Sequence, residues 1–159
     1  MAERSRILDE LKQKRPFRSR ADEALVSLLR TTDVVRRWVA RQLETSDVTP
    51  QQYNVLRILR GAGKEGIPTL DIAERMIEQT PGITRLLDRL EAKKLVRRER
   101  CARDRRQVLC WITDPGLALL AELDEPVERS AQELFAGLST AEIDALEALL
   151  EKLRDAAEP

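Results

Sequence analysis

The sequence predicts a mainly α-helical fold that carries one small β-hairpin. Apolar residues recur every three or four positions along most of the chain, a spacing that places them on one face of a helix. Two short β-prone segments, Leu95–Val96 and Val108–Ile112, flank a run of charged residues, which is typical of a hairpin. The length of 159 residues suits one domain of ordinary size.

The first half of the chain is predicted to be helical, with clear start signals. Residues 1–20 are polar and basic, with one short helix expected before Pro16. A long amphipathic helix is predicted from Asp22. A further helix starts at the capping box that Thr49 and Gln52 can form, in which each side chain bonds the backbone amide of the other residue.

Later helices are predicted from residues that commonly cap a helix start. Thr69 is expected to cap a short helix, and Thr80–Pro81 is expected to open the next one. Asp114–Pro115 is expected to cap the helix after the hairpin, and Ser139–Glu142 is expected to form a second capping box. The predicted order is therefore four helices, a hairpin and two helices.

Two consecutive short helices followed by a basic hairpin are typical of a winged helix-turn-helix, which binds DNA. The second short helix would bury Ile83, Leu86, Leu87 and Leu90 and turn its other face to the major groove. Its first amides could also bind phosphate. The residues expected to contact DNA from this helix are Thr80, Gly82, Thr84, Arg85, Asp88 and Arg89.

The hairpin is expected to supply a second DNA contact. Residues 93–106 contain eight Lys/Arg and two Asp/Glu, and arginine at a hairpin tip suits the narrow minor groove. The residues expected at this contact are Arg103, Asp104, Arg105 and Arg106. Among them, Asp104 is expected to orient a neighbouring arginine through a charge-assisted hydrogen bond.

The net charge is zero, but the charges are unevenly distributed. Residues 70–106 hold eleven Lys/Arg and seven Asp/Glu, whereas residues 114–159 hold three and twelve. A basic middle beside an acidic tail indicates a localised surface for a polyanion. Ordinary solvated helix faces would give a similar count, so charge alone does not decide between the two interpretations.

The composition argues against an enzyme, a metal site and a membrane protein. The chain has no histidine, and Cys101 and Cys110 lack the spacing of a zinc site. We therefore expect no catalytic residues, no metal and no cofactor, and interpret both cysteines as packing residues, with redox sensing left open. No apolar run is long enough to span a membrane or form a signal peptide, so a cytoplasmic protein is expected.

Several segments resemble the MarR family of transcription regulators in residue type and spacing. These segments are Gln52–Arg57, Leu70–Met76, Thr80–Glu91, Leu95–Val96, Asp104–Arg106 and Ile112–Gly116. The resemblance covers roughly residues 20–155. One departure is Lys94, where the family often has glycine. A left-handed backbone at this position would cost lysine some energy without preventing the fold.

The resemblance implies a single MarR-like domain at residues 20–157. The winged helix-turn-helix would occupy residues 48–113, and helical dimerisation parts would occupy 1–47 and 114–159. In such a dimer the first and last helices intertwine. The resemblance also implies that Arg105 or Arg106 enters the minor groove, supported by the neighbouring aspartate.

The apolar stripes of the terminal helices independently favour a homodimer, because the winged core is too small to cover them. The residues expected at this interface are Leu25, Leu28, Val35, Val39, Leu43, Ile143, Leu146, Leu150 and Leu153. The sequence thus predicts a sequence-specific DNA-binding repressor that acts as a homodimer on a pseudo-palindromic operator. A response to a small-molecule effector is left open, and no effector-binding residues are assigned. The alternative is a helical protein–protein interaction module without DNA binding.

Overall fold

The computed structural model describes residues 5–79 and 81–157. The chain divides into two units, residues 1–41 and residues 42–159, with the boundary inside a long helix. The first unit contains α1 (Arg6–Glu10) and all but the last residue of α2 (Arg20–Gln42). The short helix expected before Pro16 is therefore confirmed. The long helix begins slightly earlier than predicted, because the Ser19 hydroxyl accepts a hydrogen bond from the Asp22 amide at 3.0 Å.

The second unit begins with α3 (Pro50–Ala62), and its predicted capping box is confirmed. The Thr49 hydroxyl accepts from the Gln52 amide at 3.2 Å, and the Gln52 side chain accepts from the Thr49 amide at 3.1 Å. These two bonds satisfy backbone amides that have no partner inside the helix. A short 3-10 turn, Gly63–Glu65, follows α3.

The helix-turn-helix consists of α4 (Thr69–Arg75) and α5 (Ile83–Ala92), and both predicted starts need correction. Thr69 is the first residue of α4 rather than its cap, and its hydroxyl donates to the Val108 carbonyl at 3.3 Å. Gly82 is the N-cap of α5, because its carbonyl accepts the first helical hydrogen bond, from the Arg85 amide at 2.9 Å. The predicted cap Thr80 lies outside the described residues.

The predicted hairpin is formed by β2 (Val96–Arg100) and β3 (Val108–Ile112), which pair antiparallel with Arg98 opposite Cys110. A third strand, β1 (Ile67–Pro68), pairs with the other edge of β3 and gives the order β1-β3-β2. The sequence did not predict β1. Two residues are too few to show an alternating pattern, and proline is unusual in strands except at an edge, which is where β1 lies.

Two long helices, α6 (Asp114–Phe135) and α7 (Thr140–Ala157), complete the second unit. The cap of α6 is Thr113 rather than the predicted Asp114, because the Thr113 hydroxyl accepts from the Gly116 amide at 3.2 Å. The capping box of α7 is confirmed. The Glu142 amide donates to the Ser139 hydroxyl at 3.3 Å, and the Ser139 amide donates to the Glu142 carboxylate at 2.8 Å.

The hydrophobic core of the second unit lies between α3, α4, α5, the sheet and the first half of α6. Its most deeply buried side chains include Leu43, Val55, Leu56, Leu59, Ile72, Leu87, Leu90, Val96 and Leu120. Leu43 was predicted to lie at the dimer interface. The structure corrects this prediction, because the Leu43 side chain is only 2% exposed and belongs to this core. In the described part of the chain, no helix is long and apolar enough to cross a membrane.

Candidate nucleic-acid interface

The helix α5 has one buried face and one exposed face, as its apolar spacing predicts. Leu86, Leu87 and Leu90 are buried in the core. The exposed residues on the opposite side are Thr84, Arg85, Asp88 and Arg89. The prediction about which side chains face outward is therefore confirmed, because all four lie outside the core.

Gly82 holds a backbone conformation that favours glycine. Its φ is +111°, and a Cβ added there would meet no atom within 4 Å. The need for glycine therefore comes from the backbone angle and not from crowding within the protein. The same observation leaves open space in front of the first turn of α5, where another molecule's backbone can approach closely.

Two polar side chains of α3, which were not among the predicted site residues, bond to the segment that follows α4. The Asn54 side-chain oxygen accepts from the Ile77 amide at 2.9 Å. The Gln51 side-chain amide donates to the Glu78 carboxylate at 3.2 Å. These bonds tie the segment that follows α4 to α3.

The tip of the hairpin, residues 101–107 (the wing tip), closes through a tight turn. The Cys101 amide donates to the Gln107 carbonyl at 3.0 Å, and the Gln107 amide donates to the Asp104 carbonyl at 2.9 Å. The Asp104 carboxylate accepts from the Arg106 backbone amide at 3.0 Å. Aspartate at the first position of a turn commonly makes this bond.

Asp104 was predicted to orient a neighbouring arginine through a charge-assisted hydrogen bond. The observed bond does join it to a neighbouring arginine, but through the Arg106 backbone amide and not through a guanidinium. Among residues 5–79 and 81–157, no ion pair joins Asp104 to an arginine. The aspartate shapes the turn, and the arginine side chains around it stay available.

Five arginines near this surface have no acidic partner among the residues that the structure describes. Within the described ranges, no carboxylate forms an ion pair with Arg85, Arg89, Arg103, Arg105 or Arg106, and all five are exposed. Two of them lie on the outer face of α5 and three at the wing tip. Their charges are therefore not neutralised within the protein, and they can attract phosphate.

A sixth arginine, Arg98 on β2, is engaged within the protein. Its guanidinium lies 2.7 Å from the Asp88 carboxylate and donates through Nε to Glu91 at 3.0 Å. Asp88, a predicted DNA contact, therefore has a partner in the strand. Arg98 was not among the predicted site residues. Strand alternation could have found it, because residue 98 shares the inward face of the buried Val96.

The base of the hairpin packs around Trp111. The Arg97 guanidinium stacks 4.1 Å from the centre of the Trp111 ring, and the indole nitrogen donates to the Lys64 carbonyl at 3.1 Å. A Cβ added to Gly66, whose φ is +69°, would lie 2.4 Å from the ring. Trp111 therefore joins the turn after α3 to both long strands and fixes where the hairpin leaves the core.

Lys94, between α5 and β2, has the left-handed backbone expected where the family often has glycine, with a φ of +61°. Its carbonyl accepts from the Thr113 hydroxyl at 2.7 Å, and its amide donates to the Glu91 carbonyl at 2.8 Å. These bonds hold the turn despite the side chain, so the departure from glycine leaves the geometry intact.

The two cysteines differ in burial. Cys110 is buried, and burial raises the pKa of its thiol, which disfavours the reactive thiolate. Cys101 is half-buried at the wing tip. The described residues contain no group of three or more side chains that could hold a metal ion.

The predicted dimerisation residues other than Leu43 remain accessible within their own units. The exposed ones are Leu25, Leu146 and Leu153. The half-buried ones are Leu28, Val35, Val39, Ile143 and Leu150. Neither α2 nor α7 buries any residue completely in the single chain, so both helices keep uncovered apolar surface.

The chain is similar to known transcription regulators. A sequence profile of the MarR family matches residues 46–107. The transcriptional regulator HosA from Escherichia coli O157:H7 is 36% identical over 106 residues, which is 67% of this chain and 74% of HosA. The segment matched by the family profile contains α3, the helix-turn-helix, β2 and the wing tip.

Solved structures agree over most of the chain. A MarR transcription factor from Planctomyces limnophilus is 39% identical, with a TM-score of 0.66 over 86% of this chain and 98% of that one. BpsR from Bordetella bronchiseptica, whose DNA binding is regulated by 6-hydroxynicotinic acid, is 29% identical, with a TM-score of 0.76 over 89% and 99%. HosA and the Planctomyces protein are named as transcription regulators, and members of the MarR family are transcription regulators, not enzymes. With the winged helix-turn-helix geometry, they establish that the chain belongs to the MarR family of transcriptional regulators.

Proposed function

We propose that this regulator is a sequence-specific repressor that binds a pseudo-palindromic operator in double-stranded DNA as a homodimer. The observation that carries the proposal is the set of unpaired arginines, Arg85 and Arg89 on the exposed face of α5 and Arg103, Arg105 and Arg106 at the wing tip. The charges lie on two elements that different grooves of one duplex can accommodate.

In this proposal α5 enters the major groove. Arg85 lies near the start of the helix, where a guanidinium can make a bidentate contact to guanine, and Thr84 lies beside it. The wing tip enters the adjacent minor groove, whose enhanced negative potential attracts arginine. Base reading is thus assigned to α5, whereas the wing tip supplies mainly electrostatic affinity.

The homodimer is proposed because long apolar surfaces are uncovered in the single chain. Leu25 on α2 is 55% exposed, and Leu153 on α7 is 53% exposed. Soluble proteins seldom leave such stripes open along whole helices, and a second copy covers both in a two-fold arrangement. A two-fold dimer places two copies of α5 on one face of DNA, with half-sites about 10 base pairs apart.

Repression and effector response complete the proposal. A dimer bound across promoter DNA excludes the transcription machinery from the same sequence. The similarity to BpsR suggests that a small molecule controls DNA binding here as well. The proposed site of action is the cytoplasm.

The proposal is tested by selecting bound sequences from a pool of random duplexes with the purified protein. The most enriched sequence, called the selected duplex below, is then titrated by fluorescence anisotropy at several salt concentrations. Arg85→Ala should lose about 1–3 kcal/mol of affinity for the selected duplex and less for a scrambled one. Arg154→Ala removes the same charge from α7 and should change little.

Enrichment of no sequence, together with salt-independent weak binding, would support the alternative of a helical protein–protein interaction module. Equal losses for Arg85→Ala on selected and scrambled duplexes would instead assign this arginine to the phosphate backbone. Repression is then measured with a reporter gene carrying the selected duplex in its promoter.

A further inference from the structure

The Arg98 guanidinium connects the recognition helix to the hairpin. It contacts Asp88 at 2.7 Å and Glu91 through Nε at 3.0 Å, and these two carboxylates lie one turn apart on α5. The arginine side chain is only 20% exposed, although both of its neighbours in sequence are exposed. One planar guanidinium therefore holds two points of the helix from a single point of the strand.

The arginine itself is well anchored. It pairs in register with the buried Cys110 of β3, next to the buried Val96 on the same face of β2. The hydrogen bond that Arg98 donates to Glu91 is the main reason that the pKa of Arg98 lies above its ordinary value, with burial opposing it. The wing tip begins immediately after β2, so its distance from α5 depends on this contact.

Asp88 could in principle act on DNA directly, because a carboxylate can accept a hydrogen bond from cytosine in the major groove. In the structure its Oδ1 atom already accepts from Arg98. Freeing it would leave a half-buried guanidinium short of a partner and expose a negative charge to phosphate. Both consequences oppose DNA binding, so a positioning role for Asp88 agrees better with the geometry.

We propose that Arg98, held by Asp88 and Glu91, is a positioning residue that sets the wing tip at a fixed distance from α5, and that Asp88 acts through Arg98 rather than on a base. This inference rests on the proposed DNA-binding function. The inference explains why Asp88 and Glu91 lie on a helix that faces a polyanion. They orient Arg98, and the arginine neutralises their charge.

The inference predicts that the effect of removing Asp88 reverses sign when Arg98 is absent. With Arg98 present, Asp88→Ala loosens the hairpin and should weaken binding. With Arg98 replaced by methionine, Asp88 is an unpaired anion near phosphate, and its removal should tighten binding. A residue with a merely structural role, or one that contacts a base, gives no such reversal.

The experiment measures the affinity for the selected duplex of four full-length proteins: unmodified, Asp88→Ala, Arg98→Met and the double variant. Asp88→Ala should bind about fivefold more weakly than the unmodified protein. The double variant should bind on the order of threefold more tightly than Arg98→Met. Thermal unfolding and light scattering show that each variant is folded and of unchanged mass. If Arg98→Met does not fold, Arg98→Gln replaces it, because glutamine is polar but carries no charge and therefore also leaves Asp88 without a cationic partner.

Equal weakening by Asp88→Ala in both backgrounds would overturn the inference and assign the aspartate to DNA. Tighter binding by Asp88→Ala in the unmodified background would overturn it too, because charge alone would then account for the effect. Failure of the unmodified protein to bind any duplex would reject the proposed function and the inference together, a result distinct from the other two.

Discussion

The carboxylate of Asp104 accepts a hydrogen bond from the backbone amide of Arg106 at 3.0 Å, and this bond shapes the wing tip. The bond needs an oxygen acceptor but not a negative charge. Asp104→Ala should therefore weaken binding to the selected duplex severalfold, because an unordered turn must lose entropy on binding. Asp104→Asn keeps the acceptor and removes the charge, and should bind at least as tightly as the unmodified protein.

Fluorescence anisotropy on the selected duplex compares the two substitutions, with folding and unchanged mass verified for each variant. If both variants bind more tightly, the aspartate acts only as a repelling charge. If both bind more weakly by the same factor, the charge itself is needed, and the backbone account of Asp104 is wrong.

Arg106 is predicted to contribute electrostatic affinity with little sequence reading. Arg106→Ala should weaken binding to selected and scrambled duplexes alike, because minor-groove arginines at a tip chiefly sense charge. The slope of log affinity against log salt should flatten by about one unit if one phosphate-type contact is lost.

Arg97→Ala is a matched comparison, because that arginine carries the same charge but is stacked on Trp111. Its replacement should leave the salt slope closer to that of the unmodified protein. A change in slope for Arg97→Ala as large as that for Arg106→Ala would contradict the distinction between engaged and available arginines.

Trp111 is predicted to make Gly66 far less replaceable than the other glycines nearby. Gly63 and Gly66 have φ values of +68° and +69°, but only at Gly66 would a Cβ meet the indole ring. Gly63→Ala should cost about 1–3 kcal/mol of unfolding free energy for the backbone angle. Gly66→Ala should cost about 1–3 kcal/mol more, for overpacking.

Gly61→Ala serves as the control, because it lies inside α3 with ordinary φ and free space for a Cβ. It should be neutral or stabilise the protein by about 0.5–1 kcal/mol. Urea unfolding measures all three variants. Equal losses for Gly63→Ala and Gly66→Ala would mean that the indole ring moves aside at no cost.

Asp124 pairs with Arg60 through two hydrogen bonds, of 2.7 and 3.1 Å, that join α6 to α3. The bond from Arg60 holds the pKa of Asp124 below its ordinary value, so the folded state binds a proton less readily than the unfolded one. This contribution to stability is full above the unfolded pKa of about 3.9 and is lost as pH falls through the folded pKa. Both side chains are partly exposed, which limits the contribution of this pair to the free energy of unfolding to about 1 kcal/mol.

Thermal unfolding of Asp124→Asn should therefore show a lower midpoint near neutral pH and a smaller difference in strong acid. Asp144→Asn on α7 is the control, because no described residue forms an ion pair with Asp144. A difference between Asp124→Asn and the unmodified protein that grows on acidification would reverse the sign and contradict the pairing.

Features carried by a single element could be predicted from the sequence. The period of Leu86, Leu87 and Leu90 was enough to assign the buried and exposed faces of α5. The exact capping residue of a helix was harder to predict. It depends on the backbone angles of a single residue, and two neighbouring residues can both be of a capping type. Thr113 and Asp114 are both capping types, and the structure selects the threonine.

Features that depend on contacts between elements could not be predicted. Strand alternation places Arg98 on the inward face, but its partners Asp88 and Glu91 come from a helix whose angle to the strand is set by packing. Leu43 continues the apolar stripe of α2, yet α2 ends at the preceding residue and this side chain enters the core. In each case the missing information was the position of a second element.

The most direct test of the central claim is the mass of the complex with the selected duplex, measured by multi-angle light scattering or sedimentation at micromolar protein. The account predicts that the free protein has twice the mass of one chain. It also predicts that the selected duplex contains an inverted repeat with half-sites about 10 base pairs apart and binds two chains. A free protein with the mass of one chain, or one chain on a non-repeated sequence, would contradict a homodimer that reads DNA with two copies of α5.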